Sequence, residues 1–171
     1  KQAIALKPDY PEALSNLAAT LKELGRLEEA EGSDRQAIAL RPDFVVAHNN
    51  LGTTLKELGR LDEAEASYKQ ALALKPDFFA ARSNLSATLQ ELGRLDEAEA
   101  SYSQAIALKP DFAEVHNNLT FTLLHSGKLK EGLEEYEWRW GIADNLSKYR
   151  HFSQPLWDGK ESLQGKRILL W

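Results

Sequence analysis

Leucine and alanine recur along the chain at spacings of three or four residues, in short stretches that end at a glycine or a proline. In one stretch the leucines lie three, four and three residues apart: Leu14, Leu17, Leu21 and Leu24. This is the spacing of one apolar face of an α-helix, and Gly25 follows directly, as is typical of a helix C-terminus. The stretch therefore predicts an amphipathic helix that ends at this glycine.

A second kind of apolar stripe follows the glycines. Its small or apolar positions are again three or four residues apart: Leu61, Ala64, Tyr68, Ala71 and Leu74. Alanines on this stripe allow a close approach to the preceding helix, and Pro76 prevents the stripe from continuing as a helix. Each glycine-to-proline stretch thus predicts the second helix of a hairpin.

The starts of the first helices carry a weaker signal. Asp111 precedes Glu114 by three residues, and Asp9 precedes Glu12 by the same distance. This is the spacing of a capping box, in which the first side chain of the pair caps the helix. It predicts that these aspartates cap the first helices.

The hairpin pattern repeats every 34 residues. A basic residue followed by Pro-Asp-aromatic recurs around Pro8, Pro42, Pro76 and Pro110, and the helix-ending glycines are Gly25, Gly59, Gly93 and Gly127. This period predicts four units, at residues 11–44, 45–78, 79–112 and 113–146, the last one divergent. Residues 1–10 are then the tail of a truncated preceding repeat. Residues 147–171 are a connector and the first strand of a missing C-terminal domain.

The residues at these offsets resemble the tetratricopeptide repeat, a 34-residue helix-turn-helix unit with Leu, small residue, Gly, Ala, Tyr, Ala and Pro in phase. The resemblance covers the chain from residue 1 to about residue 140. It implies an all-α fold, a right-handed superhelical solenoid of stacked antiparallel helix hairpins with an irregular C-terminal connector. The first helices would line the concave face.

Two units depart from the repeat pattern. Asp34 stands where the other units have tyrosine, and Gly32 lies in the same predicted helix. We expect the first hairpin to be the loosest, because glycine costs about 1 kcal/mol relative to alanine inside a helix. In the last unit Gly132 and Arg139 replace the small alanines, so its second helix is not expected to pack like the others.

Composition excludes several classes of function. The 171 residues include 21 basic and 26 acidic side chains, a balance too acidic for non-specific nucleic-acid binding. There is no cysteine and there are only four histidines, so we expect no disulfide, no metal and no cofactor. No apolar run approaches the roughly 18 residues of a membrane span. We therefore expect a cytoplasmic protein without a nucleic-acid or membrane partner.

One column of the first helices is polar in every unit: Asn16, Asn50, Asn84 and Asn118. A side-chain amide can pair with both the N–H and the C=O of an extended peptide, whatever the peptide's sequence. Because neighbouring helices lie about 10 Å apart and an extended chain rises about 3.3 Å per residue, one asparagine would meet roughly every third peptide residue. The neighbouring columns on this face differ between units and would set selectivity: Ser15, Asn49, Ser83 and Asn117, then Ala19, Thr53, Ala87 and Phe121.

The asparagine column has a structural alternative. Such amides can instead bridge or cap adjacent helices inside the array. The column also resembles the one in the tetratricopeptide region of O-GlcNAc transferase, a resemblance that implies binding to the backbone of extended segments. The lysines and glutamates near it, Lys22 and Lys56 with Glu23, Glu57 and Glu91, are interpreted as a solvated rim. His48 and His116 are interpreted as packing or rim residues.

After residue 140 the repeat pattern ends. Residues 1–146 carry 16 basic and 24 acidic side chains, whereas residues 147–171 carry five and two. Residues 136–140, 155–159 and 165–170 resemble the junction of bacterial proteins in which tetratricopeptide repeats precede a glycosyltransferase-like domain. The resemblance implies catalytic residues beyond residue 171 and leaves open whether the longer protein is a glycosyltransferase.

The sequence therefore predicts a protein-protein interaction module that binds an extended peptide or partner segment in its concave groove. It would be the substrate- or partner-recruiting part of a larger protein. The alternative is a structural scaffold that self-associates through exposed end repeats or packs on the missing domain. No residues combine a nucleophile, a base and an oxyanion site, so we expect no enzymatic activity from this chain itself.

Overall fold

The computed structural model describes residues 10–141, and the last two of these by their backbone only. Within this range the chain forms eight α-helices and one short 3₁₀ helix, and no strand. The helices are α1 (Pro11–Glu23), α2 (Leu27–Leu40), α3 (Val45–Glu57), α4 (Leu61–Leu74), α5 (Phe79–Glu91), α6 (Leu95–Leu108), α7 (Ala113–His125) and α8 (Leu129–Tyr136), followed by the 3₁₀ helix (Glu137–Gly141). The prediction of an all-α fold is confirmed.

The helices form four hairpins, which stack in chain order. The two helices of each hairpin pack against each other, and each of α2, α4 and α6 also packs against the first helix of the next hairpin. The first helices α1, α3, α5 and α7 contact their neighbours, whereas the second helices do not contact one another within the described residues. The molecule is therefore a helical solenoid in which the first helices line the inner face.

Glycine ends each first helix, as the sequence predicts. The four glycines after α1, α3, α5 and α7 have φ between 72° and 81°, in the left-handed region that favours glycine. At Gly59 the backbone N–H donates to the carbonyl of Lys56, and the N–H of Arg60 donates to that of Leu55. These two bonds cap the last turn of α3 and direct the chain into α4.

The capping-box prediction is wrong. Helix α7 begins at Ala113, two residues after Asp111, and Phe112 is its N-cap residue without a side-chain hydrogen bond. Helix α1 likewise follows Tyr10 rather than Asp9. Because the aspartates lie one residue too early, they cannot occupy the N-cap position.

Small and aromatic side chains alternate between the helices of the inner hairpins. Ala64, Ala71, Tyr68 and Tyr102 are fully buried. A Cβ atom on Gly52 would lie 2.6 Å from the Tyr68 ring, so the missing side chain allows this ring to lie directly on α3. One continuous apolar cluster extends through α3, α4, α5, α6 and α7.

The last hairpin differs from the others, as predicted. Helix α8 ends at Tyr136, and Arg139, which stands where the other units have alanine, lies in the 3₁₀ helix. A Cβ atom on Gly132 would lie 2.8 Å from the side chain of Leu124. Glycine therefore lets α8 lie close to α7.

Two predicted segments lie outside the described residues: the tail of the preceding repeat, apart from Tyr10, and the connector with its strand at residues 147–171. The boundaries of the units and of these segments remain predictions. Among the helices that are described, none combines the length and the apolar character that a membrane crossing requires.

Candidate functional site

The four asparagines of the predicted column occupy the same position in their helices, the sixth residue of α1, α3, α5 and α7. Asn16 is exposed, and the other three are half-buried. Since the first helices contact one another along the stack, the structure brings the column together on the inner face.

Two of these asparagines bridge neighbouring hairpins. The Nδ2 atom of Asn50 donates to the Oγ atom of Ser15 at 3.0 Å, and Nδ2 of Asn84 donates to Oδ1 of Asn49 at 3.1 Å. The structural alternative is therefore observed at these two positions. Asn16 and Asn118 make no side-chain hydrogen bond to the described part of the chain.

The bridges leave part of each amide available. An asparagine side chain has two N–H donors and one carbonyl oxygen, and each bridge uses one N–H. The Oδ1 atoms of Asn50 and Asn84 accept no bond from the described residues, and they are not among the buried atoms without a partner. Bridging thus fixes the orientation of both amides and leaves an acceptor and a donor for another molecule.

Ser15 has to be removed from the predicted contact residues. It is 2% exposed, and its hydroxyl donates to Oδ1 of Asp34 at 3.2 Å. Asp34 is fully buried in the position of the tyrosines, its Oδ2 atom has no partner, and burial raises its pKa to about 7. The carboxyl draws Ser15 into the interior, so a peptide in the groove cannot contact this serine.

Thr53 is also engaged within its own hairpin. Its hydroxyl donates to the backbone carbonyl of Asn49 at 3.1 Å and accepts a bond from the Tyr68 hydroxyl at 3.3 Å. Burial raises the pKa of Tyr68 to about 12, so its hydroxyl remains a donor at neutral pH. Thr53 therefore helps to fix the wall of the groove and has no free donor of its own.

The other predicted groove residues remain accessible to different degrees. Asn49, Ser83 and Asn117 are half-buried, and Phe121 is 45% exposed on α7. The inner face is accordingly polar along α1, α3 and α5 and gains an exposed aromatic ring on α7.

The interpretation of the lysine column as a rim is confirmed. Nζ of Lys22 lies 3.2 Å from Oε1 of Glu57, and Nζ of Lys56 lies 2.8 Å from Oε1 of Glu91. Each ion pair joins one hairpin to the next. Because both lysines are neutralised by a glutamate, they do not form a cationic clamp.

The two histidines interpreted as packing or rim residues both contact the loops between hairpins, and His116 is buried. Nε2 of His48 lies 2.8 Å from the carbonyl oxygen of Pro42, and Nε2 of His116 lies 2.7 Å from that of Pro110. His116 also meets Oε2 of Glu135 at 2.5 Å and stacks on Trp138 with ring centroids 4.0 Å apart, which the sequence did not predict. Across the described residues, no group of side chains could hold a metal ion.

The sequence matches family models described as tetratricopeptide repeat, over residues 55–117 by one model and over residues 1–32 and 35–66 by another. No curated protein sequence matches the chain.

Solved structures share the fold. A crystal structure of MamA has a TM-score of 0.77 at 20% identity, covering 86% of this chain and 86% of that one. A thermophilic tetratricopeptide repeat protein of Thermus thermophilus has a TM-score of 0.71 at 26% identity and covers 86% of this chain and 81% of its own. The first tetratricopeptide domain of Spaghetti (RPAP3), bound to the HSP90 peptide SRMEEVD, has a TM-score of 0.67 at 22% identity, covering 68% and 93%.

These comparisons do not extend to O-GlcNAc transferase or to the glycosyltransferase junction, so both resemblances remain predictions. The chain belongs to the tetratricopeptide repeat family.

Proposed function

We propose that the inner face of the solenoid binds an extended peptide or partner segment, and that the asparagine column holds its backbone. The proposal rests on the orientation of the Asn50 and Asn84 side chains and on the hydrogen-bonding groups that they leave unused. Each amide is oriented by a bond to the neighbouring hairpin and keeps an acceptor and a donor. A preoriented amide loses little side-chain entropy when a ligand binds.

The spacing of the column supports an extended ligand. Adjacent first helices place one amide about every 10 Å, which matches about three residues of an extended chain. Four positions would hold about nine residues. Each hydrogen bond contributes on the order of 0.5 to 1.5 kcal/mol, so the affinity is modest and depends on the neighbouring side chains.

A structural neighbour supports the same class of ligand. The RPAP3 domain, which shares the fold, is a peptide-bound structure. In the present chain Lys22 and Lys56 are paired with glutamates, so we propose selection by backbone hydrogen bonds and by the exposed ring of Phe121 rather than by acidic residues of the ligand.

We also propose that the array is the recruiting part of a longer protein, with the glycosyltransferase-like junction as its next segment. The support is the sequence resemblance at residues 136–140, 155–159 and 165–170. In that arrangement the groove would present a partner or substrate segment to the following domain, and this chain would itself be inactive.

The proposal is tested by selecting peptides from a random library and measuring the affinity of the best one. Asn118→Ala tests the groove without disturbing other contacts, because no described side chain loses a hydrogen bond when this amide is removed. We expect two- to tenfold weaker binding from Asn118→Ala, and roughly the product of two such factors from Asn50→Ala with Asn84→Ala. Circular dichroism and thermal melting would show that the variants remain folded.

Ser15→Ala is the matched control for the bridge. It removes the partner of Asn50 while leaving the Asn50 amide in the groove. We expect weaker binding than in the parent chain but a smaller loss than for Asn50→Ala, because only the orientation of the amide is lost. Failure of the parent chain to select any peptide, or equal losses for Ser15→Ala and Asn50→Ala, would contradict a direct role of the asparagines.

A further inference from the structure

Helix α8 presents an apolar stripe that no described residue covers. Leu129, Leu133 and Tyr136 lie four and three residues apart and are 62%, 59% and 39% exposed. The corresponding tyrosines of the inner hairpins, Tyr68 and Tyr102, are fully buried. At the end of the described array, the stripe remains open to solvent.

The residue at the centre of this stripe breaks a repeated contact. The first three units have glutamate at this position. Each glutamate forms an ion pair with a basic residue in the turn of the next hairpin: Glu31 with Arg60, Glu65 with Arg94, and Glu99 with Lys128. The last unit has Leu133 instead. Helix α8 therefore lacks the acceptor that would receive another hairpin of the same kind.

The charges on α8 also differ from those of the other second helices. The first turns of α2, α4 and α6 each carry two acidic residues, which suit the positive end of the helix dipole. In α8, Lys130 replaces one of these two acidic residues, Glu131 is the other, and Glu134 lies near the C-terminus. The Lys130 and Glu134 side chains are exposed, and neither forms an ion pair with the described residues. With respect to the helix dipole, a lysine near the N-terminus and a glutamate near the C-terminus are both unfavourable.

We propose that α8 packs against α8 of a second copy of this chain, antiparallel and about a two-fold axis level with residue 132. Such an arrangement places Lys130 opposite the partner's Glu134, and Glu134 opposite the partner's Lys130, so these charges become complementary. Lys130 and Glu134 lie on the same flank of the stripe, as antiparallel pairing of identical helices requires. The apolar stripe of each copy then covers that of the other.

The first test is sedimentation velocity over a concentration series. The parent chain is expected to shift from the mass of one chain to that of two. Leu133→Glu is expected to weaken the dimer at least about tenfold, and glutamate is tolerated at the three equivalent positions, so folding is preserved. Ala100→Glu places the same charge at an exposed position of α6 and should leave dimerisation unchanged. A parent chain that stays monomeric, or a Leu133→Glu variant that dimerises normally, overturns the proposal.

Charge exchange tests the antiparallel geometry. Lys130→Glu and Glu134→Lys are each expected to weaken the dimer by about two- to fivefold, as exposed ion pairs do, and the double variant should recover it. The recovery is expected because the two-fold axis pairs Lys130 of each copy with Glu134 of the other copy. A double variant that is weaker than either single variant contradicts this arrangement.

Cross-linking identifies which molecule covers the stripe. The chain contains no cysteine, so Leu133→Cys introduces a single thiol close to the proposed axis. Mild oxidation should give a disulfide-linked dimer, whereas Ala100→Cys should not. Absence of the linked dimer in Leu133→Cys would overturn the proposal and would be the result expected if residues 142–171 of the same chain covered the stripe.

Discussion

The first and second hairpins have helices of equal length and yet differ in the centre of their cores. In the second hairpin the Tyr68 ring lies on Gly52, within a continuous apolar cluster that reaches α7. In the first hairpin Asp34 takes the tyrosine position and faces Ser15. The remaining apolar residues of that hairpin form two small separate clusters.

The end of the continuous cluster coincides with the change from tyrosine to aspartate at this position. Apolar contacts to the next hairpin are still present in the first hairpin, where Leu14 and Ala37 cluster with Ala47. Where aspartate is present, hydrogen bonds run from the buried carboxyl through Ser15 to Asn50 on the inner face. The first hairpin thus also links its core to the groove by polar contacts, and its looseness remains a prediction.

The largest effect is expected when the second hairpin is given an aspartate at the tyrosine position, as in the first hairpin. Tyr68→Asp would remove a fully buried ring and leave a buried carboxyl opposite Gly52. We expect the free energy of unfolding to fall by at least about 4 kcal/mol, measured by urea denaturation. Tyr68→Phe, which removes only the bond to Thr53, should lose no more than about 1 kcal/mol. Similar losses for both variants would contradict a role of the ring.

The contribution of Asp34 to stability can be measured through the pH dependence of the free energy of unfolding. Burial raises its pKa from 3.8 to about 7, so between pH 4 and pH 7 the folded chain retains a proton that the unfolded chain has lost. The free energy of unfolding should therefore fall as the pH rises through this window, by on the order of 3 to 4 kcal/mol, and change little from this group above about pH 7.

Asp34→Asn is the control for this slope. Asparagine has the same shape and no charge, so the variant should gain stability over the parent chain as the pH rises from 4 to 7. Urea unfolding of both chains at pH 4.5, 6 and 8 gives the difference directly, and contributions of the exposed carboxylates cancel. A difference that does not change with pH would show that Asp34 is not titrating in the folded state.

A smaller effect is expected from Gly52→Ala. The added Cβ would lie 2.6 Å from the Tyr68 ring, which has to shift, whereas the first hairpin already has Ala18 at this position next to the smaller Asp34. Overpacking costs about 1 to 3 kcal/mol and the gain in helix propensity offsets up to about 1 kcal/mol, so we expect a net loss of about 1 kcal/mol. Combined with Tyr68→Ala, the same substitution should be neutral or stabilising.

The smallest effect is expected at the ion pair that joins the two hairpins. Arg60 reaches Glu31 of the first hairpin at 2.7 Å and Glu63 of its own at 2.6 Å. The Arg60 side chain is 39% exposed, so Arg60→Ala should lower the free energy of unfolding by less than the other substitutions do, and by less still at high salt. A loss that does not depend on salt and exceeds that of Gly52→Ala would contradict a weak, exposed ion pair.

Local signals predicted the fold because each of them acts within one hairpin. The spacing of Leu14, Leu17 and Leu21 and the left-handed glycine at Gly25 require only a short stretch of backbone. The period of 34 residues then placed the asparagines in register. Bridging by Asn50 and burial of Ser15 depend on how adjacent first helices are rotated and spaced, which a repeat pattern does not specify.

Other features escaped prediction for similar reasons. The position of Asp34 in the tyrosine column was visible in the sequence, but its partner was not. The contact of His116 with Glu135 and Trp138 joins α7 to α8 and the 3₁₀ helix, where the repeat pattern ends. The capping prediction relied on a spacing that the actual helix start displaces by one residue.

The central claim is that the asparagine column binds a peptide backbone. It is tested most directly with the peptide selected from the library, by measuring its affinity after methylation of one backbone nitrogen at a time. Methylation removes an N–H donor without changing any side chain. The proposal predicts weaker binding at positions about three residues apart and little change between them. Uniform affinity across the methylated peptides, with losses only when side chains are replaced, would contradict it.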